Sequence, residues 1–162
     1  HPQLLRAVMD INVAQRRFVV RWLRKALGDL DEKTIGVLGL AFKPNTDDIR
    51  ESPAIDVIRM LQHEDAEIRA YDPKAMPKAQ QELAGVAFCA DPYALAEGCD
   101  ALILATEWEE FRYLDWERIR AAMRGDILVD GRNFYDPETM MQAGFRYRPI
   151  GRGITPLKTR TE

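Results

Sequence analysis

From Lys33 to Ile150, short apolar runs alternate with amphipathic segments, and this alternation leaves the chain very few folds to adopt. The runs Thr34–Leu40, Glu67–Tyr71, Val86–Cys89, Ala101–Ala105, Ile127–Val129 and Arg146–Ile150 are mostly apolar and rich in β-branched residues, which predicts strands covered on both faces. Helices are predicted between them near 53–63, 77–83, 92–97, 115–123 and 137–143. Three of the helix starts share a signature. Ser52-Pro53, Asp91-Pro92 and Asp136-Pro137 each set a capping side chain before proline at the first helical position. Asp115-Trp116-Glu117 offers a similar start, with acidic groups facing the helix dipole. Strands that alternate with helical crossovers over short connections imply an α/β fold with a doubly wound, parallel, Rossmann-like sheet of about six strands. In the common order 3-2-1-4-5-6, the ligand crevice opens between the first and fourth strands, beyond their carboxyl ends.

A long helix precedes this frame. Over residues 3–27, Leu4, Leu5, Val8, Ile11, Ala14, Phe18, Trp22, Leu23 and Ala26 recur at three- and four-residue steps, and Gly28 stands where a C-terminal cap belongs. Val13, Val19 and Val20 broaden the stripe beyond one contact face, so the helix is expected to have a packing partner outside this chain. The organisation expected is a helical segment over 1–30, a sheet domain over 31–152 and an irregular tail over 153–162. At 162 residues the chain can bury one good core. It opens at His1 without an initiator Met and is expected to belong to a longer protein. The formal charge of −3 disfavours a nucleic-acid partner. No apolar run reaches the roughly 18 residues of a membrane span, and no signal peptide opens the chain. Cys89 and Cys99 lack metal-ligand spacing and form no CxxC motif, which fits a reducing, cytoplasmic setting with free thiols and no metal site.

The polar residues sort by the strand they follow. Phe42, Lys43 and Arg50 follow the first strand, and Tyr71, Asp72 and Lys74 the second. Thr106, Glu107 and Trp108 follow the fourth, and Asp130, Gly131, Arg132 and Asn133 the fifth. In the assumed order, the clusters after the first, fourth and fifth strands converge on the switch point. The first turn reads A-F-K-P-N-T-D-D, with Gly36 and Gly39 placed inside the strand. The G-x-G-x-x-G that lets backbone approach a dinucleotide pyrophosphate is absent, so self-sufficient NAD binding is not expected. Lys43 supplies a mobile point charge and Arg132 a planar fork, a pairing suited to a nucleotide sugar or another diphosphate.

Plainer readings stand beside these. A lone loop lysine such as Lys43 is solvated more often than it binds ligand, and Arg132 is equally a candidate for a surface pair with Asp130 or Asp136. Asp47, Asp48 and Glu51 can cap a helix and pair with Arg50, while Asp72-Pro73 reads as turn chemistry. Trp108 and Phe111 read as packing groups before a base-stacking platform. His63 lies near a helix end in a charged stretch and His1 is terminal, so neither makes a convincing general base. Neither cysteine has a sequence neighbour that would lower its pKa. From the residues alone, this is a ligand-binding α/β domain without chemistry of its own.

The run G-L-A-F-K-P-N-T-D-D-I-R-E-S-P from Gly39 to Pro53, with Y-D-P-K at 71–74 and D-G-R-N at 130–133, closely resembles the C-terminal, UDP-binding domain of the UDP-glucose/GDP-mannose dehydrogenase family. The resemblance covers about residues 3–152. It implies that an N-terminal domain binds NAD, and that a long central helix joins the halves and supports a homodimer. The present domain would then close over the UDP-sugar. Residues 1–30 would be the end of the central connecting and dimerisation helix, which accounts for the broad apolar stripe. Phe42, Lys43 and Arg132 would contact the sugar nucleotide, and Arg50 would approach the NAD of the missing domain. The family reaction oxidises the sugar C6 alcohol to a carboxylate in two hydride transfers, through a thiohemiacetal on a cysteine of a G-G-x-C-x-P-K-D motif. Neither Cys89 (F-C-A-D) nor Cys99 (G-C-D-A) matches that motif, so no catalytic residue is expected in this chain and the chain alone is expected to be inactive. Two alternatives remain: the same domain of an enzyme acting on GDP-mannose or a UDP-N-acetylhexosamine, and a stand-alone nucleotide-sugar-binding or interaction module.

Overall fold

The structure is a computed structural model and describes residues 2–151; His1 and the tail expected over 153–162 lie outside the described residues. The elements run α1 (Pro2–Leu27), β1 (Thr34–Leu38), α2 (Pro53–Gln62), β2 (Glu67–Tyr71), α3 (Met76–Glu82), β3 (Val86–Phe88), α4 (Pro92–Ala96), β4 (Ala101–Leu104), a 3-10 turn (Glu109–Tyr113), α5 (Trp116–Ala122), β5 (Ile127–Asp130), α6 (Pro137–Gln142) and β6 (Arg146–Pro149). The strands form one six-stranded sheet in the order β3-β2-β1-β4-β5-β6, with every neighbouring pair parallel. This is the doubly wound arrangement expected from the alternation. Right-handed crossovers to the left of β1 and to the right of β4 send their helices to opposite faces. Accordingly α1 packs on α2, and α4 packs on α5.

The three central strands are buried at every position, as their unbroken apolar runs require. The register sets Val37 beside Ala70 and Ile103, with Ile103 beside Val129, so the layers meet in the middle of the sheet. At the outer strand β3, burial is only partial.

Differences from expectation have local causes. The first strand ends at Leu38 instead of Leu40 because Gly39 turns to φ +87°, a conformation that favours glycine. A Cβ added there would lie 2.5 Å from Thr106 Cβ and 2.7 Å from its backbone nitrogen, so the chain after β1 can lie against the chain after β4 only with glycine at this position. Asp91, Asp115 and Asp136 cap their helices as read, accepting from the amides of Tyr93 and Ala94, Arg118, and Thr139 respectively. Ser52 does not: its hydroxyl is buried without a partner, and the Ile55 amide donates to the Ser52 carbonyl at 3.2 Å. The 3-10 turn has no counterpart among the predicted elements, although its Phe111 is fully buried, in keeping with a packing role.

Helix α1 divides in two. Val19, Val20 and Leu23 are buried in the core, and an ion pair joins Arg16 to Asp56 of α2. The Arg148 guanidinium of β6 lies 5.4 Å from the ring centre of Phe18 and 5.8 Å from that of Trp22. Toward the N-terminus, Leu4, Val8, Ile11 and Val13 are exposed; Leu5 lies outside the residues whose side chains are described. Cys89 and Cys99 are buried free thiols. Cys99 donates to the Leu95 carbonyl at 3.1 Å, and burial pushes its thiol up to about 12. Among the described residues no group of three or more side chains could hold a metal ion, and no helix is long and apolar enough to cross a membrane.

Candidate functional site

The carboxyl edge of the sheet is organised around two buried carboxylates. Asp72, at the end of β2, is fully buried and is saturated with donors. Its Oδ2 accepts from the amides of Leu40 (2.7 Å) and Ala41 (3.0 Å) and from the Trp108 indole (3.0 Å). Its Oδ1 accepts from the amides of Lys74 (2.8 Å) and Ala75 (2.7 Å). The Asp72-Pro73 turn chemistry expected from sequence is present, and the same side chain also pins the loops after β1 and β4. The Thr106 hydroxyl adds a second link between those loops, donating to the Ala41 carbonyl at 2.6 Å.

Asp130, at the end of β5, braces the sheet edge in the same manner. Its Oδ1 accepts from the Arg132 amide at 2.9 Å. Its Oδ2 accepts from the amides of Phe134 (2.8 Å) and Tyr135 (3.0 Å) and from the Tyr147 hydroxyl (2.6 Å). These bonds wind the D-G-R-N segment into a tight turn in which Asn133 takes φ +53°. Gly131 allows the close approach, since a Cβ there would sit 2.8 Å from the Leu104 carbonyl oxygen.

On this frame stand the residues singled out from sequence. The Phe42 amide donates to the Asp48 carbonyl at 2.7 Å and closes the loop after β1. Phe42 is 48 % exposed, a large apolar side chain at the rim of the sheet. Lys43 is exposed and has neither an ion pair nor a side-chain hydrogen bond among the described residues. Arg50 is paired with Asp48 (Nη2 to Oδ2, 2.8 Å) yet its side chain is 87 % exposed, and this pairing holds the Asp48 carboxyl far below the usual carboxylate range. Asp47 turns to Lys78 of α3 at 2.9 Å.

Arg132 pairs neither with the Asp130 carboxylate nor with Asp136, the two partners weighed from sequence. Its Nε and Nη2 meet Glu107 Oε2 and Oε1 at 2.6 and 2.8 Å, a two-point ion pair from the loop after β5 to the loop after β4. The physical reason is that both other carboxylates are committed: Asp130 to backbone amides and Tyr147, Asp136 to capping α6. The bond to Glu107 raises the Arg132 pKa. Partial burial is the largest single influence on Glu107 and raises it, but the Arg132 hydrogen bond, a backbone hydrogen bond and the Arg132 charge together leave its carboxyl below the usual value. Sequence reasoning placed Glu107 at a strand end but missed its pairing with Arg132, and missed the bracing roles of Asp72 and Asp130. The T-E-W and D-G-R runs place both partners at carboxyl ends, but only the β4–β5 register shows that they meet.

The order β1-β4-β5 therefore places Phe42 and Lys43 after β1 and Arg132 after β5, two strand ends separated by β4, with Arg50 further along the first loop. Chemically, the edge offers an unpaired ammonium, an exposed phenyl ring and a braced guanidinium. Both thiols lie in the core and not at this edge.

Known proteins resemble this chain in sequence and fold. The chain is 42% identical over 151 residues to the UDP-glucose 6-dehydrogenase of Rhizobium meliloti (strain 1021), covering 93% of this chain and 35% of the relative. It is 40% identical over 151 residues to that of Bacillus subtilis (strain 168), covering 93% and 33%. Among solved structures, a UDP-glucose dehydrogenase from Pyrobaculum islandicum superposes with a TM-score of 0.76 at 38% identity, over 88% of this chain and 31% of that one. A UDP-D-ManNAc dehydrogenase from Pyrococcus horikoshii superposes with a TM-score of 0.70 at 34% identity, over 88% and 31%. The chain thus spans about a third of the length of the curated relatives it matches. The profile of the UDP-glucose/GDP-mannose dehydrogenase family, UDP binding domain, matches residues 36–137, a span from the middle of β1 to the first residue of α6 that takes in both carboxylate-braced loops. The chain belongs to the UDP-glucose/GDP-mannose dehydrogenase family and carries its UDP-binding domain.

Proposed function

We propose that this chain is the C-terminal, substrate-closing domain of an NAD-dependent UDP-glucose 6-dehydrogenase, which converts UDP-glucose to UDP-glucuronate. The observation that carries the reading is the unpaired Lys43 ammonium on the loop after β1, at the switch point that it shares with the Arg132 loop across β4. Lys43 and Arg132 hold the sugar nucleotide, and Phe42 packs against it. Nicotinamide chemistry supplies the hydride acceptor when NAD is bound. The loop after β1 lacks the glycines of a dinucleotide cradle, so this domain contributes only an edge to the cofactor, through the exposed Arg50. The nucleotide-binding fingerprint and the reactive cysteine belong to domains beyond this chain. The exposed stripe of Leu4, Val8 and Ile11 docks those domains or a second subunit of a homodimer.

In the full-length protein, Lys43→Ala and Arg132→Ala are each expected to raise KM for UDP-glucose. A lost charge-assisted contact of about 1.5–3 kcal/mol corresponds to about a tenfold to hundredfold effect. Unchanged kinetics in both variants would defeat the assignment. The purified chain with UDP-glucose and NAD is expected to produce no NADH, and turnover by the chain alone would place the reactive group inside it. Assaying GDP-mannose and UDP-N-acetylhexosamines beside UDP-glucose decides the sugar.

A further inference from the structure

We propose that Glu107 is a positioning residue that holds the Arg132 guanidinium with one edge turned to the sugar nucleotide. This inference rests on the reading that Arg132 meets that ligand. A guanidinium carries five N–H donors in a rigid plane, and a two-point pair through Nε and Nη2 uses one edge of it. Among the described residues Nη1 makes no hydrogen bond, so the end formed by Nη1 and the second Nη2 hydrogen remains available for a pair of ligand oxygens. Arginine has several rotatable bonds, and an unpaired one at a loop tip would sample many directions. A carboxylate fixed across the neighbouring strand removes that freedom before the ligand arrives.

Glu107 is suited to this because both of its chain neighbours are anchored. The Thr106 hydroxyl donates to the Ala41 carbonyl, and the Trp108 indole donates to the buried carboxylate of Asp72. Asp72 also holds the Leu40 and Ala41 amides, directly before Phe42 and Lys43. The Arg132 end is tied by its own amide to Asp130. One run of short contacts therefore fixes the Lys43 loop and the Arg132 head in a common frame. A surface ion pair formed only by attraction would need none of these anchors.

The test is calorimetric titration of the full-length protein with UDP-glucose in the absence of NAD, using Arg132→Ala, Arg132→Lys, Glu107→Gln and the double variant Glu107→Gln/Arg132→Ala. Glu107→Gln keeps the shape of the side chain but offers one acceptor where the carboxylate offers two. It is expected to weaken UDP-glucose binding about tenfold, and the double variant is expected to bind no more weakly than Arg132→Ala alone, the non-additivity of a coupled pair. Arg132→Lys retains the charge without the second edge and is expected to lose nearly as much as Arg132→Ala. The urea-unfolding midpoint of the isolated chain is expected to stay near wild type in the Glu107→Gln variant, which a general loss of structure would not allow. Glu107→Gln binding as well as or better than wild type, losses that multiply in the double variant, or full binding by Arg132→Lys would each overturn the positioning role. Unchanged binding by Arg132→Ala would instead overturn the underlying assignment of Arg132 to the ligand.

Discussion

The two ends of the sheet use the same chemical groups in opposite ways. At the amino end, Asp100 accepts from the Thr34 amide at 2.9 Å and from Arg124 Nε and Nη2 at 2.9 and 3.0 Å. That arginine also donates to the Gly98 carbonyl at 3.1 Å. Cation and anion satisfy each other there, and the arginine spends its Nη2 on backbone as well as on the carboxylate. At the carboxyl end, the buried carboxylates of Asp72 and Asp130 take backbone amides, an indole and a phenol, and among the described residues neither accepts from a cationic side chain. The cations at that end are left outside, Lys43 unpaired and Arg132 held by one edge. The difference teaches that a binding edge is marked less by its charges than by what its buried acids are tied to.

The comparison breaks most readily at its strongest point. Asp72→Ala would strip the acceptor from four amides and an indole at once, and is expected to destabilise the chain by about 3–5 kcal/mol. Asp100→Ala frees an arginine whose side chain is 59 % exposed and can turn to water, and is expected to cost about 1–3 kcal/mol. Urea unfolding of both variants measures this, and an equal or larger loss for Asp100→Ala would erase the distinction between the ends.

Glycine substitutions sharpen it next. Gly39→Ala combines positive φ with a contact into Thr106 backbone and is expected to cost about 2–4 kcal/mol. Gly28→Ala has positive φ but nothing within 4 Å, and is expected to cost about 1–2 kcal/mol by thermal or urea unfolding. If the two losses match, the packing of the β1 and β4 loops is not under constraint.

The core between the ends gives a smaller effect with a defined sign. The folded-state pKa of Cys99 is raised from 9.0 to about 12 by burial, so the folded protein keeps this proton longer than the unfolded chain does. Its contribution is intact below about pH 9 and declines as pH rises toward 12, at about 1.4 kcal/mol per pH unit at most. The Cys99→Ala variant is expected to lose less stability between pH 8 and pH 10 than wild type, and an identical decline would remove Cys99 from the account. The smallest effect belongs to Lys43→Ala, expected within about 0.5 kcal/mol of wild type in stability, because an exposed, unpaired lysine supports nothing in the fold.

The parallel frame was legible because the central strands are unbroken apolar runs and several helices carry a start signal: the apolar β4 run, for example, or Asp91 and Asp136 before proline. The strand order was assumed as the common one for a doubly wound sheet, and the sheet adopts it. The positions of Lys43, Arg50 and Arg132 at strand ends followed from that order. What the sequence left unread depends on contacts between distant segments. Glu107 and Arg132 are 25 residues apart and meet only through the β4–β5 register. Asp72 reaches back 32 residues to Leu40, an interaction with no local pattern. Ser52 failed as a cap for a similar reason: its motif was present, but its hydroxyl points where no amide waits.

The way Asp72 and Asp130 are satisfied bears on how such a domain can change over evolutionary time. Their partners are backbone amides, one tryptophan and one tyrosine, so the loops keep their course whatever side chains occupy positions 42, 43 and 132. A lineage can therefore exchange the residues at those three positions one at a time without first having to reinvent the scaffold beneath them.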